Sequence, residues 1–206
     1  MWISWAVLDR HTGAWRQSEN ATDTTMTASM IKAWLVADHL RLYGFDERLS
    51  TIIRDSANEP SWEIYEKLGR EASIERLIAT CQLAQSSPGE DLSMTLMSAR
   101  DAVLMGAAIV DGRAAGRRWT EWLLEQMRAV RGAGDFGIRQ AFPSPERERI
   151  AIKNGWDIRR AIEEWNVNCL AIHDAWIMAV LARYPSSLPL AHGALACEDV
   201  ARTLIC

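Results

Sequence analysis

The chain reads as an α+β protein: an antiparallel sheet contributed by both ends of the sequence, with a helical region inserted between them. Three observations predict this. Ile3-Ser4-Trp5-Ala6-Val7-Leu8 is aromatic and β-branched and leads into the turn Asp9-Arg10-His11-Thr12-Gly13, so Trp2 to Trp15 forms a hairpin. The middle of the chain then repeats apolar residues at helical spacing. Finally, glycine and proline accumulate between Arg131 and Pro145, and strand-like runs follow at Ile150–Lys153, Asn166–His173 and Trp176–Tyr184.

In chain order, Thr22–Thr27 is polar and threonine-rich and reads as a loop. A helix begins at Ala28-Ser29, where Met30, Ile31, Trp34, Leu35, Ala37 and Leu40 share a face, and it ends near Gly44. Further helices are expected at Asp46–Arg54, Pro60–Leu68, Ser73–Cys81, Ser98–Val110 and Arg118–Val130. His173-Asp174-Ala175 connects two antiparallel strands tightly, and Leu190–Ile205 closes the chain as an amphipathic helix. With 206 residues, 49% of them hydrophobic, one core is expected. The reading is a single domain, 1–206, with a sheet lobe from 1–25 and 145–206 and a helical lobe from 26–144.

Composition narrows the function. A net charge of −4 gives no general attraction to phosphate backbones, which argues against a nucleic-acid partner. No apolar run approaches the roughly 20 residues of a membrane span, and Met1–Val7 has neither a basic leader nor a cleavage signature. The four cysteines (Cys81, Cys169, Cys197, Cys206) have no C-x-x-C pair, and His11, His39, His173 and His192 have no metal spacing, so no metal is expected. Trp34, Trp119, Trp122 and Trp176 read as packing residues, whereas Trp156 is expected to border a cleft with Trp165 near it. Arg117-Arg118 and Arg159-Arg160 read as solvated surface.

The chain has three lysines against twenty arginines. Arginine keeps its proton in proteins, while a buried lysine can lose it and act as a base. Two of the three lysines lie in motifs. Ser29-Met30-Ile31-Lys32 places a hydroxyl and an amine one helical turn apart. Ile150-Ala151-Ile152-Lys153-Asn154-Gly155-Trp156 is a strand ending in a lysine and then a glycine, which lets another molecule's backbone approach. Between them, Ser56-Ala57-Asn58 holds a hydroxyl and an amide in a polar connection. Each fragment alone has an ordinary reading: a helix surface, a helix cap, a strand end.

Together, in this order, they resemble the S-x-x-K, S-x-N and K-[TS]-G signatures of the serine β-lactamase and penicillin-binding protein superfamily. Met97–Ala102 and Trp165–Ile172 add to the likeness, which is most similar to the exported β-lactamase-like serine hydrolases of actinobacteria. The resemblance implies that Ser29 forms an acyl-enzyme and Lys32 activates it. Ser56 would pass a proton to the leaving group, Asn58 would bind a substrate amide, and Lys153 would lower its neighbours' pKa values and attract a substrate carboxylate. Asn154 would offer hydrogen bonds, with Gly155 and Trp156 bordering the substrate; the N–H groups of Ser29 and Trp156 would form the oxyanion hole. It implies no cofactor, a peptide or small-molecule substrate and a cell-envelope or secreted location.

The departures shape the expected activity. Ala57 stands where the superfamily commonly has aspartate, Asn154 replaces threonine or serine, and the short span from Ser29 to Ser56 implies a trimmed helical lobe. No E-x-x-L-N arrangement follows Cys81, where Glu90 is the nearest candidate for activating the deacylating water. Acylation with slow release is expected, as in a D,D-peptidase-like enzyme. The alternative is an impaired member that binds a cell-wall peptide or a protein in the same cleft.

Overall fold

Alternation of aromatic and β-branched residues makes Trp2–Asp9 the first strand, β1, which turns through Gly13 and pairs with β2, Trp15–Gln17. The description is a computed structural model and covers residues 1–205; Cys206 lies outside the described residues. A long excursion follows before the chain returns as β5 (Ala151–Arg159), β6 (Glu164–Ile172) and β7 (Trp176–Pro185). All neighbours in the sheet are antiparallel, in the order β2-β1-β7-β6-β5, so the two ends of the chain meet where β1 pairs with β7. The near-continuous apolar run of β7 suits this central place, covered on both faces.

Two helices cover those faces. α5 (Ala99–Val110) packs on β1 and β7; a side chain at its Gly106 would run into Ile177 and Leu170. α8 (Leu190–Leu204) covers the other face, where Cys169 and Cys197 meet beside Gly137. The alternation of Cys169 and Leu170 along β6 sends one to each layer.

The excursion supplies α1 (Lys32–Tyr43), α2 (Arg48–Arg54), α3 (Glu59–Lys67), α4 (Glu71–Cys81), α5, α6 (Arg117–Arg128) and the short α7 (Glu146–Arg149). α1 is buried from Lys32 to Leu40, including the acid Asp38. Asp38 is tolerated there because it is fully paired, with Arg41 at 2.7 Å, Arg76 at 2.6 Å and the Ser73 hydroxyl at 2.8 Å. Trp34, the largest fully buried side chain, donates its indole N–H to Ser73 O.

Three sequence expectations need correction. Thr22–Thr27 is not all loop: Thr24–Met26 is a strand, β3, paired with a second short strand, β4 (Leu96–Ser98). The strand expected to end at Lys153 continues through Gly155 to Arg159, paired along its whole length with β6. The helix expected from Ala28 opens instead as a 3₁₀ turn, Ala28–Ile31, and becomes α-helical at Lys32. No helix among the described residues is long and apolar enough to cross a membrane.

Candidate active site

The 3₁₀ turn carries Ser29 and lies against β5 and β6. Its position is set by backbone contacts. Asn168 of β6 donates its side-chain amide to Met26 O at 2.9 Å and Thr27 O at 3.0 Å, and Asn166 donates to Met26 O at 2.6 Å. Gly155, the cross-strand partner of Asn168, lies flush beneath: a Cβ there would stand 2.4 Å from Met30 N and Thr27 O and 2.7 Å from Ser29 N. The close approach read from this glycine is therefore made by the chain's own turn, and Gly155 does not line the cavity.

Backbone strain is concentrated here. Ala28, immediately before Ser29, has φ +46°, and Ser56 has φ +57°. Non-glycine residues are uncommon in this left-handed region and persist where their surroundings hold them.

One cavity of about 190 Å³ opens over the turn, lined by Ser29, Ile31 and Lys32 on one side and Asn58, Ser61 and Trp62 on another, with Leu92, Ser93, Trp156 and Asp157 closing it. Lys32 is buried, and its Nζ donates at 2.7 Å to both Ser56 O and Asn58 Oδ1. Burial pushes its pKa down to about 8. Directly behind, Lys153 is fully buried and donates to Ser56 Oγ at 3.0 Å and Asn154 O at 3.1 Å. Burial, and next the charge of Lys32, push Lys153 well below the ordinary lysine range.

Of the residues singled out from sequence, Ser29, Lys32, Asn58 and Trp156 line this cavity, while Ser56 and Lys153 form a hydrogen-bonded chain behind it. Despite the short span, Ser56 reaches Lys32, although through its carbonyl. Asn154 belongs elsewhere: its buried amide donates to Gly134 O at 3.0 Å and Phe136 O at 2.8 Å, fastening the 132–137 loop instead of facing the cavity. Trp165 stacks on Tyr184 and donates to Leu188 O, away from the cavity. Glu90 is exposed and absent from the lining, to which its segment contributes Leu92 and Ser93.

Ser61, Trp62, Leu92, Ser93 and Asp157 were missed from sequence. Ser61 and Trp62 had a signal: Asn58-Glu59-Pro60 opens α3, so its first turn must stand beside Asn58. Ser93 and Asp157 had none. Among the described residues, no three His, Cys, Asp or Glu side chains converge as metal ligands.

A buried amine with no carboxylate beside it lowers stability, which gives a prediction. The unfolded chain holds the Lys153 proton up to about pH 10.5 while the folded chain has already lost it, so stability rises with pH across the interval below 10.5. Lys153→Met is expected to flatten that rise and to raise stability at pH 7 by about 1 kcal/mol. Thermal melts of both proteins at pH 7 and 10 check it; a Lys153→Met protein less stable than wild type at pH 7 contradicts it.

No protein-family model and no curated protein matches the chain by sequence. Solved structures do match in shape. A β-lactamase from Xanthomonas campestris pv. campestris aligns with TM-score 0.79 at 11% identity, over 98% of this chain and 90% of that one. A β-lactamase from Chitinophaga pinensis gives 0.79 at 13% identity, over 98% and 92%. One from Streptosporangium roseum gives 0.76 at 15% identity, over 98% and 91%. The chain has the serine β-lactamase-like fold, as the motif resemblance implied.

Proposed function

We propose that this protein is an acyl-serine hydrolase acting on an amide or ester, and that it releases its acyl group slowly. The observation that carries this reading is the hydrogen bonding of Lys32. A neutral amine has two N–H donors and one lone pair; both donors are matched, by Ser56 O and Asn58 Oδ1. The lone pair is then left for a proton from the Ser29 hydroxyl, on the wall of the same cavity.

Ser29 Oγ attacks the substrate carbonyl carbon as its proton passes to Lys32 Nζ. The carbonyl oxygen becomes an oxyanion, which the N–H groups of Ser29 and Trp156 would meet. The bond to the leaving nitrogen or oxygen then breaks, and the leaving group would take the proton now on Lys32 Nζ, which makes that amine neutral again, while the Ser56 hydroxyl, held by Lys153, would orient the leaving group. Asn58, whose Oδ1 accepts from Lys32, would hold a substrate carbonyl with its Nδ2. An acyl ester on Ser29 remains, and water must cleave it. The one carboxylate lining the cavity, Asp157, is exposed, so no buried carboxylate stands ready to activate that water. Slow release follows.

The test is intact mass spectrometry over time with a fluorescent penicillin and with an uncharged p-nitrophenyl ester, on wild type and Ser29→Ala. A long-lived adduct on wild type that Ser29→Ala lacks is the expected result. Absence of any adduct with either reagent overturns the reading, and fast turnover of the adduct overturns its slow-release part.

A further inference from the structure

Neither Cys169 nor Cys197 borders the cavity, and the two are neighbours. Cys169 on β6 and Cys197 on α8 are free thiols and fully buried. In the sheet, Cys169 stands between Asn154 of β5 and Val180 of β7, its cross-strand partners on either side. Residues directly opposite one another share a face, so these three side chains form one row on the face that α8 covers.

Cys197 comes down onto that row, where its thiol donates to Val180 O at 3.8 Å. Gly137 shows how close the two cysteines are. A Cβ added there would lie 2.5 Å from Cys169 Sγ and 3.2 Å from Cys197 Cβ, so both residues border the same methyl-sized space. Gly137 has φ +75°, and the 132–137 loop crosses the pair because no side chain stands at that position. Burial, and next the thiol of Cys197 beside it, push Cys169 well above the ordinary thiol range.

As thiols the two gain little from each other, since S–H is a weak donor and sulfur a weak acceptor. Joined, they would tie the closing helix to the middle of the sheet. Cys81 is placed differently: it is buried on α4, in the helical part of the chain, and burial pushes its thiol up to about 12.

We propose that Cys169 and Cys197 are a disulfide site, whose bond fastens α8 to β6 beneath the 132–137 loop. Asn154, the neighbour of Cys169 in the row, holds the same loop through Gly134 O and Phe136 O. Phe136 in turn braces Trp156 of the cavity wall edge-on at 5.5 Å. The bond thus anchors the support of that wall as well as the helix.

The oxidant is a small disulfide, such as glutathione disulfide. One cysteine thiolate attacks it, giving a mixed disulfide and one glutathione thiolate; the second cysteine thiolate then attacks the protein sulfur and expels the other glutathione. Two S–H bonds are lost, one S–S bond is made, and the two protons end on two glutathione thiols. Exchange needs the thiolate, which burial suppresses in the folded chain, so the bond forms during folding, before α8 docks.

The test refolds the reduced, unfolded chain with mixed glutathione and glutathione disulfide, or with dithiothreitol, and then unfolds and alkylates it with iodoacetamide. After oxidative refolding, a disulfide is expected to join the tryptic peptides Ala161–Arg183 and Tyr184–Arg202, with neither of their cysteines alkylated. The bond closes a loop of about 28 residues, so the oxidised protein should melt about 10 °C above the reduced one. Cys169→Ala and Cys197→Ala should each lose the link and the difference in midpoint, and Cys81→Ala should keep both. Alkylated Cys169 and Cys197 after oxidative refolding, lasting glutathione adducts on either, or a predominant link through Cys81 or Cys206 overturns the proposal. A Cys169–Cys197 link whose reduction leaves the midpoint unchanged overturns the fastening of α8.

Discussion

Replacing Lys32 by methionine is expected to slow acylation of Ser29 by about 10²–10⁴-fold, the range for removing a positioned general base. Methionine approximates the length and apolar character of the lysine stem, so burial in α1 is kept while the amine is lost. Lys32→Arg is the sharper variant. Guanidinium retains the positive charge but cannot accept a proton at any accessible pH. If Lys32 is the base, Arg and Met variants should be slowed alike. An Arg variant with near wild-type acylation would show that only the charge is needed, and would sink the base assignment.

The same assignment fixes a pH dependence. Only the neutral amine takes the Ser29 proton, so acylation should rise with pH and level off above about 8, the value to which burial brings Lys32. At pH 7 about one molecule in ten is then neutral, against about one in three thousand for a lysine at its ordinary value of 10.5. Burial in α1 thus supplies a roughly 300-fold larger population of active base at neutral pH. Stopped-flow acylation between pH 6 and 10 measures the profile, and a flat profile contradicts the assignment. The profile should vanish in Lys32→Met.

Helices were legible in the sequence because their signals are local. Ser98 caps α5 by accepting from Asp101 N at 3.0 Å, and Gly44 ends α1 with φ +80°, which suits glycine. The S-x-x-K pair was legible for the same reason, since one helical turn fixes its geometry. What sequence missed is held by distant residues. β3 and β4 are three residues each, too short for alternation to register, and asparagines some 140 positions later hold the first of them. Asn154 was assigned to the cavity from its place beside Lys153, but its direction depends on the 132–137 loop that packs against it. Asp157 gave no signal in the sequence; its position on the cavity emerges only once β5 is seen to continue past Gly155.

That continuation makes Gly155 the position where a single methyl group should do most harm. Strand β5 could bend away from an added Cβ only by breaking its pairing with β6, which runs uninterrupted from Ala151 to Arg159. The turn could retreat only by breaking the bonds from Asn166 and Asn168 to Met26 and Thr27 carbonyls. Ordinary contact begins near 3.4 Å, and the nearest backbone atoms would stand at 2.4 Å, so something must move by about 1 Å. Overpacking of this kind costs about 1–3 kcal/mol in Gly155→Ala, and more in Gly155→Val. The cheaper shift is that of the turn, and it carries Ser29 with it. A misplacement of about 1 Å at a reacting group can cost about 10²-fold in rate. Gly155→Ala is therefore expected to lower the thermal midpoint and to lose about two orders of magnitude in acylation, while Lys32 keeps its pH profile because its own contacts to Ser56 and Asn58 are untouched. A Gly155→Ala protein that melts and acylates like wild type would mean that the turn is not seated on β5, and with it the placement of Ser29 would fall.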